Sequence, residues 1–139
     1  MLANYHLLST DHSIHLTNIY VPQLIESKLS LLQFLEWLRN YYQNKDWILA
    51  GEFIMITSLT EKKGGHSRID RDNRAFQQFI EDSRLIDLPI VNGLQTWNNK
   101  CGGVHQIASQ LDQFIITEQT YINDYDYTAS ILPASGSDH

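Results

Sequence analysis

The sequence contains one cysteine, Cys101, and no long run of apolar residues. A single thiol excludes an intramolecular disulfide and any zinc site built from several thiolates, and such low cysteine usage suits a reducing, intracellular compartment. No segment approaches the roughly 20 apolar residues of a membrane span, and the first residues lack the basic and apolar regions of a secretion signal. We therefore expect a soluble intracellular protein, nuclear or cytoplasmic, without a membrane partner.

Positive charge is scarce as well, with 10 Lys and Arg residues against 16 Asp and Glu residues and a net charge of -6. A chain with this balance has no overall positive field to attract a phosphate backbone, so any contact with nucleic acid has to be local. The 139 residues, of which 42% are hydrophobic, are enough for one small domain with its own core.

The first part of the chain predicts a hairpin followed by a helix. Residues 3–8 and 14–20 are rich in β-forming side chains and are separated by a polar cluster, which is typical of two antiparallel strands. Apolar side chains then recur at helical spacing over residues 31–42, and Ser30 with Gln33 resembles a capping box. We expect an amphipathic helix that begins at Ser30.

The rest of the chain mixes strands and helices. Residues 47–50 form a short apolar run ended by Gly51, which predicts a buried strand that opens into a loop. Residues 57–74 predict a long exposed loop, and a second helix is predicted from about residue 72 to 84. Further strands are expected around residues 96–97, 111–116 and 127–132. Strands and helices interleaved in this order predict a layered α/β or α+β domain.

A series of short motifs lies along nearly the whole chain, and each is a weak signal alone. They are Asn18-Ile19-Tyr20-Val21-Pro22, Gly51-Glu52-Phe53, Lys63-Gly64-Gly65, Leu85-Ile86-Asp87-Leu88-Pro89, Thr96-Trp97-Asn98, Leu111-Asp112-Gln113-Phe114 and Ser137-Asp138-His139. In this order they resemble the DNase I-like, apurinic-endonuclease-type domain of the endonuclease/exonuclease/phosphatase superfamily, as found in plant non-LTR (LINE-type) retrotransposons. The resemblance implies a four-layer α/β/β/α sandwich with its active site where loops of two sheets meet.

The motifs match only the later part of that domain, because the Tyr20 motif resembles one from the middle of it. The resemblance therefore implies a single partial domain over residues 1–139, an incomplete sandwich that lacks the early strands. Those strands carry an Asn and a Glu with which the family holds its metal. The family's cofactor is Mg²⁺ and its substrate is DNA, and we expect this chain to bind both weakly at most.

The resemblance also implies the central catalytic groups. His139 matches the histidine that contacts the scissile phosphate, and Asp112 matches the carboxylate that orients this histidine. A carboxylate partner would fix the tautomer of the imidazole and raise its pKa. Asp138 matches a carboxylate that can hold the metal, although a single carboxylate makes a poor Mg²⁺ site.

Three further residues match positions around the substrate. Tyr20 matches the family's active-site tyrosine, whose phenol is a donor near the phosphate. Trp97, with its neighbour Asn98, matches an aromatic position beside the pocket, where a ring can pack on a sugar or a base. Simple core packing is an equally weighted alternative for Tyr20 and Trp97.

The central strand motif of the family, Gly-Asp-Phe-Asn, is altered in this chain. Glu52 stands where the family has the Asp that orients the attacking water, and a displacement of about 1 Å can cost on the order of 10²-fold in rate. Ile54 stands in place of the Asn that donates to the phosphate, and loss of one such donor costs about 10²–10³-fold. Gln110 and Gln113 stand at positions where the family commonly has arginine.

These changes lead to one main hypothesis and two alternatives. The main hypothesis is a truncated, inactive relic of a Mg²⁺-dependent retrotransposon DNA endonuclease, with DNA as an inherited partner. One alternative is a non-catalytic interaction module, in which the sheet face or edge left uncovered by the missing strands pairs with a partner or with a second copy. The other alternative is a weakly active phosphoesterase of the same superfamily.

Overall fold

A computed structural model of the chain describes residues 2–7, 12–43, 45–65, 68–122 and 127–131. The helices and strands are, in chain order, β1 (Leu2–Leu7), β2 (His12–Tyr20), α1 (Ile25–Tyr41), β3 (Asp46–Glu52), β4 (Lys62–Lys63), α2 (Arg71–Asp82), β5 (Leu85–Asp87), β6 (Trp97–Asn98), β7 (Ala108–Ser109), β8 (Asp112–Thr117) and α3 (Glu118–Ile122). Short 3₁₀ turns lie at Leu59–Glu61 and Gly103–His105.

The main sheet has five strands in the order β1-β2-β3-β8-β5. β2 and β3 are parallel and are joined through α1, whereas the other neighbours in the sheet are antiparallel. A parallel pair needs such a crossover connection, and α1 supplies it. The mixed α/β fold class that the sequence predicts is confirmed, as is the N-terminal hairpin.

One face of this sheet carries the larger part of the core. The fully buried side chains include Trp47, Leu49 and Phe53 from β3 and the residues after it, Ile115 from β8 and Phe76 from α2. Each such side chain contributes about 1.5–3 kcal/mol on burial. The indole of Trp47 also donates to the hydroxyl of Thr17 at 2.7 Å, so its one polar atom is satisfied inside the core. The two longer helices pack on this face.

The opposite face has a smaller cluster. Leu88, Ile116 and Ala129 are buried there, and Ala129 reaches it through an isolated bridge to Ile90. Farther along the same face, Phe114 is 45% exposed. This face is therefore covered over only part of its width by the residues that the structure describes.

A second sheet is small, with the order β4-β7-β6 and two residues in each strand. It is connected to the end of β3 by backbone hydrogen bonds. The N–H of Phe53 donates to the carbonyl of Leu111, and the N–H of Gln110 donates to the carbonyl of Glu61. The small sheet thus lies next to the point where β3 ends.

The first helix begins earlier than the sequence predicts. α1 starts at Ile25, and its N-cap residue Leu24 makes no side-chain capping bond. Ser30 lies inside the helix, where its hydroxyl donates to the carbonyl of Glu26. The predicted capping box at Ser30 and Gln33 is therefore wrong, because a serine hydroxyl satisfied within a helix has the same local sequence as one at its start.

Other boundaries differ as well. The predicted loop over residues 57–74 contains the first 3₁₀ turn, β4 and the start of α2, with residues 66 and 67 outside the described part. The strand predicted at residues 127–132 is reduced to the bridge at Ala129 within the described residues. β5 and α3 were not expected from the sequence. Among the described helices, none has the length and hydropathy to cross a bilayer.

Candidate active site

Three sequence-predicted site residues lie side by side where neighbouring strands end. Tyr20 of β2 is in register with Glu52 of β3, and Glu52 is in register with Asp112 of β8. Neighbouring strands lie about 4.8 Å apart, and residues directly opposite each other point to the same face. We call Tyr20, Glu52 and Asp112 the strand-end row. Tyr20 is 74% exposed, so it does not serve as core packing.

Gly51 allows the strands to approach at the row. Its φ is +138°, and a Cβ at this position would lie 2.0 Å from the carbonyl oxygen of Ile19 on β2. Any side chain would force the two strands apart. Gly51 therefore fixes how Glu52 stands next to Tyr20.

The residues that follow β3, numbers 53–57 and called here the β3 loop, include a strained backbone. Ile54 has a φ of +52°, which lies in the left-handed region. A β-branched residue is a genuine outlier there, whereas asparagine visits this region more readily. Such strain costs about 1–3 kcal/mol and persists only where the surroundings impose it. The backbone at residue 54 thus has a conformation that suits an asparagine better than the isoleucine it carries.

Lys28 is one of the groups that impose this conformation. Its ammonium group is buried beneath the β3 loop and donates to the carbonyl of Ile54 at 3.2 Å and to the carboxylate of Asp72 at 2.6 Å. Burial opposes the charge of Asp72, but the hydrogen bond and the charge of Lys28 outweigh it and hold the pKa of Asp72 below its usual value. The pair therefore ties α1, α2 and the β3 loop together as ions.

Side chains from several other elements hold the remaining residues of the β3 loop. The amide of Gln113 donates to the Met55 carbonyl at 3.1 Å, the Ile56 N–H donates to Asn73 at 3.0 Å, the Thr57 N–H donates to Glu61 at 3.0 Å, and Gln77 donates to the Thr57 carbonyl. Each of residues 54–57 is thus bonded through its backbone to a side chain from elsewhere in the chain. A loop held in this way is preorganised, which is what positioned chemistry requires.

A cleft of about 470 Å³ opens beside the β3 loop and brings Glu52 and Trp97 together. We call it the Glu52–Trp97 cleft. Ile54 lines it with an apolar side chain, together with Lys62, Asp70 and the directly paired Lys28 and Asp72. Asp112 lines a separate recess of about 220 Å³. The row thus borders two depressions, with Glu52 in one and Asp112 in the other.

Thr96 connects the small sheet to the row. Its hydroxyl accepts from the backbone N–H groups of Leu111 and Asp112, at 3.0 and 3.1 Å. The next residue, Trp97, is half-buried at the cleft wall. Asn98 is exposed, and its side-chain oxygen accepts from the N–H of Lys100. Trp97 therefore faces the cleft, while Asn98 shapes the turn beyond it.

The possible metal ligands among the side chains described so far fit a magnesium site only in part. Within the described ranges no three His, Cys, Asp or Glu side chains form a group that could hold a metal ion. Glu52 and Asp112 offer hard carboxylate oxygens on neighbouring strands, and Mg²⁺ is usually held by one or two carboxylates with substrate oxygens and water. Asp138 and His139 lie outside the described residues.

Behind the row lies a buried polar group that the sequence did not single out. Burial, helped by the negative charge of Glu61, raises the pKa of Asp87 to about 7. One carboxyl oxygen of Asp87 and the amide oxygen of Gln113 are buried without a hydrogen-bond partner in the described part of the chain. Asp87 is thus a largely desolvated acid on β5, the strand next to the one that carries Asp112.

The sequence also gave no role to Lys28, Glu61 or Asn73. The burial of Lys28 could have been predicted from the sequence. Lys28 lies four and seven residues before Leu32 and Leu35, so it belongs to the buried face of the helix. Gln113, at a position where the family resemblance implies arginine, supports the β3 loop from the buried side of β8. Glu61 and Asn73 have no local pattern that would have revealed them.

No sequence-family model and no curated protein sequence matches this chain. Among solved structures, it is similar to the endonuclease domain of TRAS1, a telomere-specific non-LTR retrotransposon, with a TM-score of 0.59 and 16% identity over 86% of this chain and 51% of that one. It is also similar to an endonuclease/exonuclease/phosphatase family protein from Bacteroides thetaiotaomicron, with a TM-score of 0.54 and 11% identity over 84% of this chain and 40% of that one. The chain spans about half the length of these structures or less, and the likeness establishes the fold.

Proposed function

We propose that the chain corresponds to the C-terminal half of a retrotransposon-type endonuclease domain of the endonuclease/exonuclease/phosphatase superfamily, and that it has little or no nuclease activity. The observation that carries the proposal is the strand-end row. Three residues that the resemblance assigns to one active site, Tyr20, Glu52 and Asp112, are in register on adjacent strands. Tyr20 and Glu52 are 32 positions apart in the chain, and Glu52 and Asp112 are 60 positions apart. The strand register nevertheless brings the three motifs next to one another.

The row supplies part of what phosphodiester hydrolysis requires. Tyr20 would donate to a phosphate oxygen, Glu52 would orient the attacking water, and Asp112 would orient His139. Trp97 would pack on a sugar or base at the cleft wall, with Asn98 beside it. Mg²⁺, held by Asp138 with help from Glu52, would neutralise charge that develops on the phosphate.

Two features of the row's surroundings support the loss of activity. Glu52 extends its carboxylate about one C–C bond farther than an aspartate would, which displaces the water it holds. Ile54 places a hydrocarbon in the cleft where a donor is needed, on a backbone whose φ of +52° suits asparagine. The scaffold around the site is thus kept while two of its groups no longer serve the chemistry.

A plasmid-nicking assay with Mg²⁺ tests this proposal. The unaltered chain is compared with a double variant that combines Glu52→Asp and Ile54→Asn. It is also compared with the single variant Asp112→Asn, which controls for contaminating nuclease. We expect no nicking above the control by the unaltered chain. Robust nicking that the Asp112→Asn control lacks would overturn the proposal.

A second candidate function is an interaction module. It would pair through the face of the main sheet that α1 and α2 do not cover, called here the open face. The observation that favours it is the exposure of Tyr20 and Phe114 on that face, at 74% and 45%. Its test is light scattering on the unaltered chain and on Phe114→Glu. A self-association of the unaltered chain that Phe114→Glu abolishes would support this function. If the unaltered chain and Phe114→Glu are both monomeric, the function is rejected.

A third candidate is weak hydrolysis of a small phosphate ester. The Glu52–Trp97 cleft, at about 470 Å³, has the size of a small-molecule pocket and is lined by Lys62 and by Lys28, whose ammonium group is paired with Asp72. Hydrolysis of p-nitrophenyl phosphate in Mg²⁺, lost in Lys62→Met and retained in Lys63→Met, would support it. Equal rates in both variants would reject it.

A further inference from the structure

Three of the 10 Lys and Arg side chains line one depression of about 410 Å³, called here the basic depression. They are Arg39 near the end of α1, Lys45 directly before β3 and Arg84 directly before β5. β3 and β5 both pair antiparallel with β8, so they run in the same direction and begin at the same edge of the sheet. The strand-end row lies at the opposite end of β3, whose seven residues span about 20 Å. The basic depression is therefore separate from the candidate active site.

Two carboxylates also line the basic depression. Asp46 is buried, and the hydroxyl of Thr120 donates to it at 2.7 Å from inside the fold. Glu118 is exposed at the surface. In the part of the chain that the structure describes, neither Lys45 nor Arg84 makes an ion pair with a carboxylate. Positive charge is thus in excess here, in a chain whose net charge is -6.

The guanidinium of Arg39 is held in a fixed orientation. Its Nε donates to the carbonyl of Ser83 at 3.1 Å, and its Nη1 donates to the carbonyls of Tyr42 and Gln43 at 3.3 and 3.1 Å. Among the described residues, Nη2 has no such partner. Burial lowers the pKa of Arg39, and the positive charge of Arg84 lowers it further. An anion placed between the two guanidinium groups would turn this repulsion into two attractions.

Arg84 occupies a position at which glycine is the more stable residue. It follows Ser83, the C-cap of α2, and its φ of +50° lies in the left-handed region. Helices very commonly end on a glycine in this conformation, because any Cβ is strained there. The N–H of Arg84 donates to the carbonyl of Glu81, and its carbonyl accepts from the N–H of Glu118, so the conformation is imposed from both sides. Strained residues of this kind cluster at functional sites, which points to a role for the arginine side chain.

We propose that Arg39, Lys45 and Arg84 form a binding site for a phosphate group. Guanidinium groups bind phosphate oxygens through paired, charge-assisted hydrogen bonds, and a lysine ammonium adds a point charge. Arg84 supplies its planar fork, and Arg39 supplies the donors of Nη2 at a fixed place. Small phosphate compounds and nucleic-acid backbones both carry this group, so titration with each kind of ligand separates the two sources. The proposal does not depend on any enzymatic activity.

Titration of the full chain with inorganic phosphate, at low ionic strength and without divalent metal, tests the proposal in ¹H–¹⁵N NMR spectra. Arg84→Gly removes the fork and the backbone strain together. Lys45→Gln is a second site variant at an exposed position outside the helices and strands. The matched control is Arg74→Gln, which removes one positive charge from an exposed position on α2 that does not line the depression. Circular dichroism melting verifies that each variant folds.

We expect the amide signals of Lys45, Arg84 and Glu118 to shift saturably, with a dissociation constant of about 0.1–1 mM. Arg84→Gly should raise this constant about tenfold or more, while its melting temperature stays equal or rises because glycine relieves the strained backbone. Lys45→Gln should raise the constant less, and Arg74→Gln should leave it within about twofold, since a distant exposed charge contributes little.

Three results would overturn the proposal. They are the absence of saturation up to about 10 mM phosphate, equal affinity of Arg84→Gly and the unaltered chain, and equal weakening by Arg84→Gly and Arg74→Gln. Shifts confined to Glu52 and Asp112 would overturn it as well, because they would place the phosphate at the strand-end row.

A short DNA duplex supplies the second arm of the titration. If the duplex shifts the same signals and Arg84→Gly abolishes those shifts, the phosphate group belongs to a nucleic-acid backbone. If inorganic phosphate alone shifts them, it belongs to a small compound. Binding to the duplex should weaken as salt is added, because salt competes for contacts with backbone phosphates.

Discussion

The two faces of the five-stranded sheet differ in what their side chains do. On the face covered by α1 and α2, Trp47, Leu49, Phe53 and Ile115 have no exposed surface. On the other face, Phe114 remains exposed, and the strand-end row reaches solvent through Tyr20. The covered face therefore carries most of the buried apolar surface that stabilises the fold, whereas the other face and the strand ends carry the candidate chemistry. A substitution on one face should affect stability, and one on the other should affect function.

The largest expected difference comes from the same substitution on the two faces. Phe53→Ala removes a fully buried ring that stacks on Phe76 at 5.1 Å, and it should cost about 3–5 kcal/mol of unfolding free energy. Phe114→Ala should cost less than about 1 kcal/mol, because almost half of its surface already contacts water. Urea denaturation measures both. Equal costs would show that the open face is covered in solution.

Asp87 should make stability fall with rising pH. Its pKa is raised from 3.8 to about 7 in the folded chain, so the native state keeps a proton that the unfolded chain releases. Stability is fully present below pH 3.8 and is lost as the pH rises through 7, by a total on the order of 4 kcal/mol. Asp87→Asn should remove this slope. An unchanged slope in urea titrations of the variant would assign it to other groups.

Asp72 provides the contrast for Asp87. Lys28 lowers the pKa of Asp72, so its contribution is present above the unfolded value and is lost as the pH falls. Asp72→Asn should therefore weaken the fold at neutral pH and flatten the acid side of the profile. If both variants shifted the profile in the same direction, the assignment of these two carboxyl groups would be wrong.

Breaking the Lys28 pair should have the next largest effect. Lys28→Met leaves the partly buried Asp72 carboxylate without its partner, which should cost about 1–3 kcal/mol, below the full penalty of a completely buried charge. Lys28→Met combined with Asp72→Leu should restore part of the loss, since no unpaired charge then remains. Thermal unfolding of the single and double variants measures this. A double variant less stable than the single one would contradict the pairing.

The smallest effect concerns Ile54. Ile54→Asn should stabilise the chain by about 1 kcal/mol, because asparagine tolerates the left-handed backbone that isoleucine resists. Ile54→Val is the matched control, since it keeps a β-branched side chain and should give no gain. A gain in both variants would mean that packing of the side chain, and not backbone strain, limits this position.

The sequence predicts the elements with local patterns better than those held by distant contacts. The hairpin and α2 follow from alternation and helical spacing, and the order of motifs assigns the strand-end row before its register is known. α1 was predicted to begin five residues too late, because the pattern at Ser30 and Gln33 resembles a helix start, although Ile25 and Leu29 already have helical spacing. The β3 loop shows the main limit. Its conformation depends on Lys28, Asn73 and Gln113, which lie on three separate elements.

Titration with Mn²⁺, followed by electron paramagnetic resonance, tests most directly our proposal that the chain has the backbone of a phosphoesterase-type site but lacks the groups that would hold a cation and a water. We expect no saturable site tighter than about 1 mM in the unaltered chain, and the same weak binding in Glu52→Gln. A single micromolar site that Glu52→Gln abolishes would contradict the claim.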